Sequence, residues 1–280
     1  MEYTTLSNGV EMPLIGYGAM LPKDITEQCV LNAIETGYRL IDTSQAYYNE
    51  EQVGNAIRKC GVDRDELFVT TKMWVFPSPG YERGKAAINE SLRKLQTDYI
   101  DLMLIHQPFG DYYGTYRAMV EAYKEGKIRA LGVSNFFPDR LADICSFAEI
   151  APMVNQVETH PFCQQKEARK TMDKYKVQQE AWSPFAEGRE GLFSNETLLN
   201  IAANHSKTIA QITLRFLLQS KVVTIPQSKV KERMAENIEI FDFSLTDDEM
   251  KRIQILDLNK SAFLDHSNPE TVDLIKSLKV

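Results

Sequence analysis

Short runs of β-branched and apolar residues recur along the chain, at 14–18, 39–42, 67–72, 100–105, 128–133, 153–157, 177–182 and 222–225. Each has the length and composition of one strand. Between them, apolar positions fall at helical spacing. Leu141, Ile144, Cys145 and Ala148 form one such stripe, with Pro138 where a helix would begin. Ile88, Leu92 and Leu95 form another, and the segment 195–220 is long enough for two helices. Strand alternating with helix implies parallel strands joined by crossovers. Eight such units predict a closed (β/α)8 barrel of the triosephosphate-isomerase type, which needs roughly 250 residues. Ahead of them, TTL and VEMP flank Ser7-Asn8-Gly9, a hairpin signal. That hairpin is expected to close the bottom of the barrel. From Lys260 onward the pattern is weak, and the tail is expected to fold back over the active-site face. No linker or low-complexity stretch divides the chain, so 1–280 is expected to be one domain.

Composition narrows the function classes. The 280 residues are 43% hydrophobic and 25% charged with a net charge of −7, the balance of an ordinary globular protein. A nucleic-acid backbone would demand clustered Lys and Arg, so nucleic acid is not an expected partner. A small anionic cofactor needs only a few local cations and stays compatible. The start, MEYTTLSNG, lacks the basic and apolar blocks of a leader, and no apolar run approaches the ~18 residues of a membrane span. Cys29, Cys60, Cys145 and Cys163 are scattered and form no CxxC pair, as expected of reduced thiols in the cytoplasm. His106, His160, His205 and His266 are far apart, and no metal site is expected. GYGAML begins like GxGxxG and GVSNF like GxSxG, but each lacks its last glycine; P-loop and HExxH patterns do not occur.

Barrel enzymes carry their chemistry at the C-terminal ends of the strands. The second run ends in Asp42, followed by Thr43, Ser44 and, within loop range, Tyr47; the third ends in Lys72, and His106 follows the fourth at once. Singly, these residues have ordinary readings as a helix cap, a packed aromatic, a solvated lysine and a loop histidine. Together, three consecutive strands deliver an acid, a phenol, a cation and an imidazole to one rim. A phenol with a reference pKa near ~10 is a weak acid, and a neighbouring ammonium is expected to lower that value. Tyr47 then serves as general acid toward a carbonyl oxygen. Asp42 holds Lys72 charged, and His106 orients and polarises the carbonyl. A hydride must come from a cofactor, because no side chain supplies one.

These segments resemble the aldo-keto reductases. GYRLIDTSQAYYNEEQVG at 37–54 is similar to the family's first signature and LRKLQTDYIDLMLIHQP at 92–108 to its second. TKMW at 71–74, GKIRALGVSNF at 126–136, NQVETHP at 155–161, AWSPF at 181–185 and IPQS at 225–228 follow in family order. DYYG at 111–114 and DHSNPE at 265–270 look most like the bacterial branch acting on small dicarbonyls and keto-sugars. The resemblance implies an NADPH-dependent barrel reductase, with Asp42, Tyr47, Lys72 and His106 as the catalytic tetrad. It implies that Ser134, Asn135 and Gln156 meet the nicotinamide amide, that Trp182 stacks on its ring, and that Ser183 and Phe185 reach the pyrophosphate. Gln227, Ser228, Arg233, Glu236 and Asn237 then fall around the adenosine end, and Trp74 lines the substrate pocket beside His106.

Three positions depart from the pattern. Leu40 stands where many members have His. Tyr48 stands where Gly is common and is expected to narrow the pocket. Gln227 replaces a Lys that meets the 2′-phosphate of NADPH in relatives, which leaves NADH open as a second cofactor; Lys229, two residues on, is a further candidate for that phosphate. Two other classes stand beside the reductase: a nucleotide-binding regulatory or channel-associated subunit on the same fold, and a metal-dependent barrel hydrolase. An intact tetrad favours the enzyme, acting as a monomer on a small carbonyl substrate.

Overall fold

All eight runs become barrel strands in the structure, a computed structural model that describes residues 1–74 and 80–278. A hairpin of β1 (Tyr3–Thr5) and β2 (Glu11–Pro13) comes first. The barrel strands are β3 (Gly16–Gly18), β4 (Leu40–Asp42), β5 (Phe68–Met73), β6 (Ile100–Ile105), β7 (Ile128–Ser134), β8 (Val154–Glu158), β9 (Gln178–Trp182) and β10 (Val223–Thr224). They pair in parallel and in chain order. The ring closes where Ile15 bridges Thr224, and where the Thr224 and Gly18 amides donate to the carbonyls of Leu14 and Pro226, both at 3.0 Å. Pro226 explains why β10 is shorter than its apolar run, since a proline has no amide for the ladder.

Strands buried on both faces read as continuous apolar runs, and β6 is buried along its whole length. Inside the barrel, side chains from neighbouring strands compete for space. A Cβ at Gly132 would meet Leu104 Cδ2 and, at 2.8 Å, the Val154 carbonyl oxygen, so β7 needs glycine there.

The outer ring includes α1 (Lys23–Glu35), α2 (Glu50–Lys59), α3 (Tyr81–Leu95), α4 (Tyr112–Lys124), α5 (Pro138–Phe147) and α6 (Lys166–Tyr175). Pro138 opens α5 as expected, and Leu141 and Ile144 are its buried face. The 195–220 segment forms α7 (Glu196–His205) and α8 (Ile209–Gln219), broken at left-handed Ser206. A capping box between Thr208 and Gln211 starts α8. Then come α9 (Lys231–Ile238), α10 (Asp247–Gln254) and α11 (Pro269–Ser277).

Two segments cap the barrel ends. At the bottom, Thr4 Oγ1 donates to Gln178 at 3.1 Å and Asn8 Nδ2 to the Arg129 carbonyl at 2.9 Å, so the hairpin covers the starts of β9 and β7. At the top, the tail crosses the rim. The Glu158 carboxylate accepts the Ser261 hydroxyl at 2.5 Å and the Ala262 amide at 2.8 Å. Ile275 of α11 packs with Trp74 and Phe109. The tail therefore does fold back over the active-site face. Among the described residues, no helix is long and apolar enough to cross a membrane.

Candidate active site

The rim is built from the strand ends. Register pairs Asp42 with Gly18 and Thr70, Lys72 with Leu104, and Ser134 with Gln156, so their side chains rise at similar heights. After β4 the chain makes a short 3-10 turn over Gln45–Tyr47. Ser44 Oγ starts it by accepting the Ala46 amide at 3.1 Å, and Tyr48 ends it in a left-handed conformation, φ 55°. Buried Asn49 pins the turn to the barrel, donating to the carbonyls of Ala19 at 2.7 Å and Leu21 at 3.2 Å and accepting the Thr43 hydroxyl at 2.7 Å. Glu50 accepts the Thr71 hydroxyl at 2.8 Å. This turn brings Tyr47 back over the strand ends, with Lys72 Nζ 5.2 Å from its ring centre and the His106 ring edge-on at 5.8 Å.

Under Tyr47 lies a dry ion pair. Lys72 and Asp42 are each only 1% exposed. Lys72 Nζ donates to Asp42 Oδ1 and, at 3.0 Å, to the Thr43 carbonyl. Asp42 Oδ2 accepts Gln156 Nε2 at 2.9 Å. Burial pushes the Asp42 carboxyl up, while Lys72 and Gln156 pull it back. On Lys72, burial acts downward, but Asp42 and Tyr47 outweigh it and the ammonium ends above its ordinary value. The ionised pair is the state the geometry supports, because both Asp42 oxygens accept a donor and a buried ammonium needs its carboxylate.

The Tyr47 phenol departs from expectation. Burial raises it above the ordinary value, and Lys72 offsets only part of that rise. Desolvation of a phenolate in this dry setting is larger than the attraction of one cation, so the resting phenol is protonated. His106 lies well below the ordinary imidazole value, first by burial and then by the Lys72 charge, and is neutral. Deeper in the barrel, both Glu180 oxygens are buried with no hydrogen-bond partner among the described residues. Burial and the Asp42 charge push that carboxyl up to about 8.

A cavity of about 700 Å³ opens over this cluster. Asp42, Tyr47, Trp74 and His106 line one end, Ser134, Asn135 and Gln156 a wall, and Trp182, Ser183, Phe185 and Gln227 the continuation. Trp182 Nε1 donates to Asn135 Oδ1 at 2.9 Å, and Asn135 Nδ2 donates to the His106 carbonyl at 3.1 Å. Ser134 Oγ donates to the Gln156 carbonyl at 2.8 Å, and Gln227 Nε2 to the Met20 carbonyl at 2.6 Å.

Of the residues expected around the cofactor, those at the adenosine end other than Gln227 lie off the lining, and Lys72 lies beneath it. Ser228 closes a local turn on Val230. Arg233 is exposed on α9 and, among the described residues, has no ion-pair partner. Glu236 accepts the Thr208 hydroxyl at 2.7 Å, and Asn237 is buried. Lys229 is exposed. Tyr48 does not narrow the cavity; its left-handed backbone turns the side chain outward, 52% exposed. Sequence reasoning passed over Asn49 and Glu50, whose signal is a pair of polar residues just after a catalytic turn. It also passed over Glu180, the one acid of β9, between Gln179 and Ala181.

The family model described as "Aldo/keto reductase family" matches residues 14–258. The chain belongs to that family. It is 49% identical to glyoxal reductase of Bacillus subtilis (strain 168), over 90% of this chain and 91% of the relative. Among solved structures, an aldo-keto reductase from a Medee basin deep-sea metagenome library superposes with a TM-score of 0.92 at 43% identity, covering 95% of this chain and 98% of that one. The Bombyx mori aldo-keto reductase in complex with NADP superposes at 0.88 with 34% identity, covering 94% of each chain.

Proposed function

We propose that this chain reduces small aldehydes and ketones to alcohols with NADPH, Tyr47 acting as the general acid. The observation that carries the reading is the buried Asp42–Lys72 pair beneath Tyr47 at the end of a cavity that His106 also lines. The residues fit the cofactor. The cavity volume lies within the roughly 300–1,000 Å³ usual for ligand sites, and Arg233, a cation with no ion pair among the described residues, stands on α9. Ser134, Asn135 and Gln156 would hold the nicotinamide amide, with Trp182 as its aromatic plate. Ser183 and Phe185 would meet the pyrophosphate. Gln227, Ser228, Arg233, Glu236 and Asn237 would surround the adenosine.

When bound, NADPH supplies the hydride. The chain's own residues supply the rest. A carbonyl oxygen held between the Tyr47 hydroxyl and His106 would take its proton from Tyr47. The phenolate left behind lies beside the Lys72 ammonium, which Asp42 keeps charged and in place. Because these charges are fixed before substrate arrives, little reorganisation is needed as the phenolate forms. Neutral His106 can donate one hydrogen bond without competing for the proton. Trp74 is 6% exposed and edge-on to His106 at 5.0 Å, and it bounds the substrate end.

On this reading the whole chain, 1–280, works as one domain and as a monomer in the cytoplasm, with a small carbonyl compound as its partner. Four free thiols are compatible with that compartment. The name of the Bacillus subtilis relative makes small dicarbonyls the first substrates to try. The test follows reduced cofactor by absorbance over a panel of dicarbonyls, keto-sugars and simple aldehydes. NADPH oxidation proportional to enzyme and dependent on carbonyl is the expected result. Folded protein that binds NADPH yet turns over none of the panel would sink the proposal.

A further inference from the structure

We infer that Ser44 is a positioning residue that fixes the tautomer of His106, keeping the ring proton on Nε2. The catalytic consequence rests on the reductase reading above; the tautomer itself does not.

Ser44 is fully buried at the end of the Asp42 strand. Its Oγ has three polar neighbours: the Ala46 amide at 3.1 Å, the Lys72 carbonyl at 3.3 Å and His106 Nδ1 at 2.9 Å. The amide can only donate, so it occupies one lone pair of the hydroxyl. The single hydroxyl proton must then go to Nδ1 or to the Lys72 carbonyl. An O–H donor prefers an acceptor within about 3.0 Å, and only Nδ1 meets that. Both acceptors are within reach, and the hydroxyl proton is assigned to the shorter contact, His106 Nδ1 at 2.9 Å, over the Lys72 carbonyl at 3.3 Å.

The imidazole completes the deduction. His106 is neutral, held so by burial and by the nearby Lys72 charge. A neutral ring has one N–H and one lone pair. If Nδ1 accepts from Ser44, the proton sits on Nε2. Among the described residues Nε2 has no protein partner, while the ring lines the cavity. The remaining groups around the ring are Tyr47 and Trp74, both edge-on, with Lys72 and His266 acting by charge. None of these offers Nδ1 a hydrogen bond. With the opposite tautomer, a lone pair would face the cavity and repel a carbonyl oxygen. Ser44 thus decides whether His106 presents a donor or an acceptor to substrate.

The same hydroxyl caps the turn carrying Tyr47, so loss of activity alone proves nothing. The test reads the tautomer directly. Protein labelled with 15N-histidine, which contains four histidines, is studied near neutral pH by multiple-bond 15N–1H correlation. The His106 signals are assigned by their loss in His106→Asn. Wild type is expected to show a protonated Nε2 and an unprotonated Nδ1. Ser44→Ala should lose that pattern and lower kcat/KM for a carbonyl substrate by about tenfold, the worth of one buried hydrogen bond. NADPH affinity should be unchanged, and Ser44→Thr, which keeps the hydroxyl on extended backbone, should restore both tautomer and rate. A wild-type Nδ1–H signal overturns the inference, and so does a Ser44→Ala spectrum that keeps the Nε2–H pattern. If wild type shows the expected tautomer but reduces nothing, the reductase reading fails and the Ser44 assignment stands.

Discussion

The two ends of the cavity are built on opposite electrostatic plans. At the chemical end, Asp42 and Lys72 are paired inside the protein and sealed from water; both Asp42 oxygens accept a donor, and the Lys72 ammonium donates to Asp42 and to the Thr43 carbonyl. At the far end Gln227 is an exposed lining residue; Lys229 and Arg233, off the lining, are exposed too, and the Arg233 guanidinium has no ion pair among the described residues. The first arrangement is paired within the protein before any ligand arrives; the second faces solvent. Buried charges act at low dielectric and do not rearrange, so they carry chemistry. Exposed charges are screened by water and salt, so they contribute selectivity in smaller steps.

Breaking the dry end should have the largest effect. Lys72→Met leaves Asp42 buried without its partner, a change that typically costs about 3–5 kcal/mol. Denaturant unfolding should show that loss, and turnover should fall at least about 100-fold. A variant with wild-type stability would mean that the pair is not the electrostatic unit described.

Glu180 tests the same region through pH. Its carboxyl is raised from 4.5 to about 8 in the folded state. A raised acid contributes stability that is fully present below 4.5 and is lost as pH rises through about 8. Glu180→Gln cannot ionise, so its melting temperature should gain on wild type steadily across that window. A difference that stays flat with pH would place the Glu180 carboxylate in contact with water or a counter-charge.

At the wet end the expected changes are smaller. Arg233→Ala should weaken NADPH by about tenfold, one charge-assisted contact partly screened by solvent, and leave NADH nearly unchanged. Added salt should shrink the difference. Equal weakening of both cofactors would remove Arg233 from the 2′-phosphate. Smallest of all is Tyr48→Gly: it relieves a left-handed residue but adds backbone entropy to the unfolded chain. The net stability change should be below about 1 kcal/mol, with turnover unaffected because Tyr48 does not line the cavity. A large drop in turnover would contradict its outward placement.

Much of this was legible because barrel topology converts strand ends into neighbours. Asp42, Lys72 and His106 lie far apart in sequence, yet each closes an apolar run, and a closed parallel barrel puts all such ends on one rim. What escaped depends on packing in three dimensions. The sign of the Tyr47 shift turns on how dry the cluster is, which residue type cannot report. Tyr48 looked like a pocket residue until its φ of 55° sent the side chain outward. The tail reads weakly because its anchors are distant single contacts: Glu158 to Ser261 and Ala262, and His266 Nε2 to Gln107 at 3.0 Å. Even so, Asn268 and Pro269 mark the start of α11 by ordinary capping rules. Residues 279–280, the end of that tail, lie outside the described residues.

The most direct test of the central claim is Tyr47→Phe, measured by carbonyl turnover and by NADPH titration on the same preparation. The account predicts turnover reduced at least about 100-fold, the usual floor for general acid catalysis, with the NADPH dissociation constant unchanged. The phenol acts on substrate, and Phe keeps the ring that packs over Lys72 and against His106. A variant that keeps more than about a tenth of wild-type turnover would contradict Tyr47 as the acid and, with it, the assignment of the dry Asp42–Lys72 pair to that role.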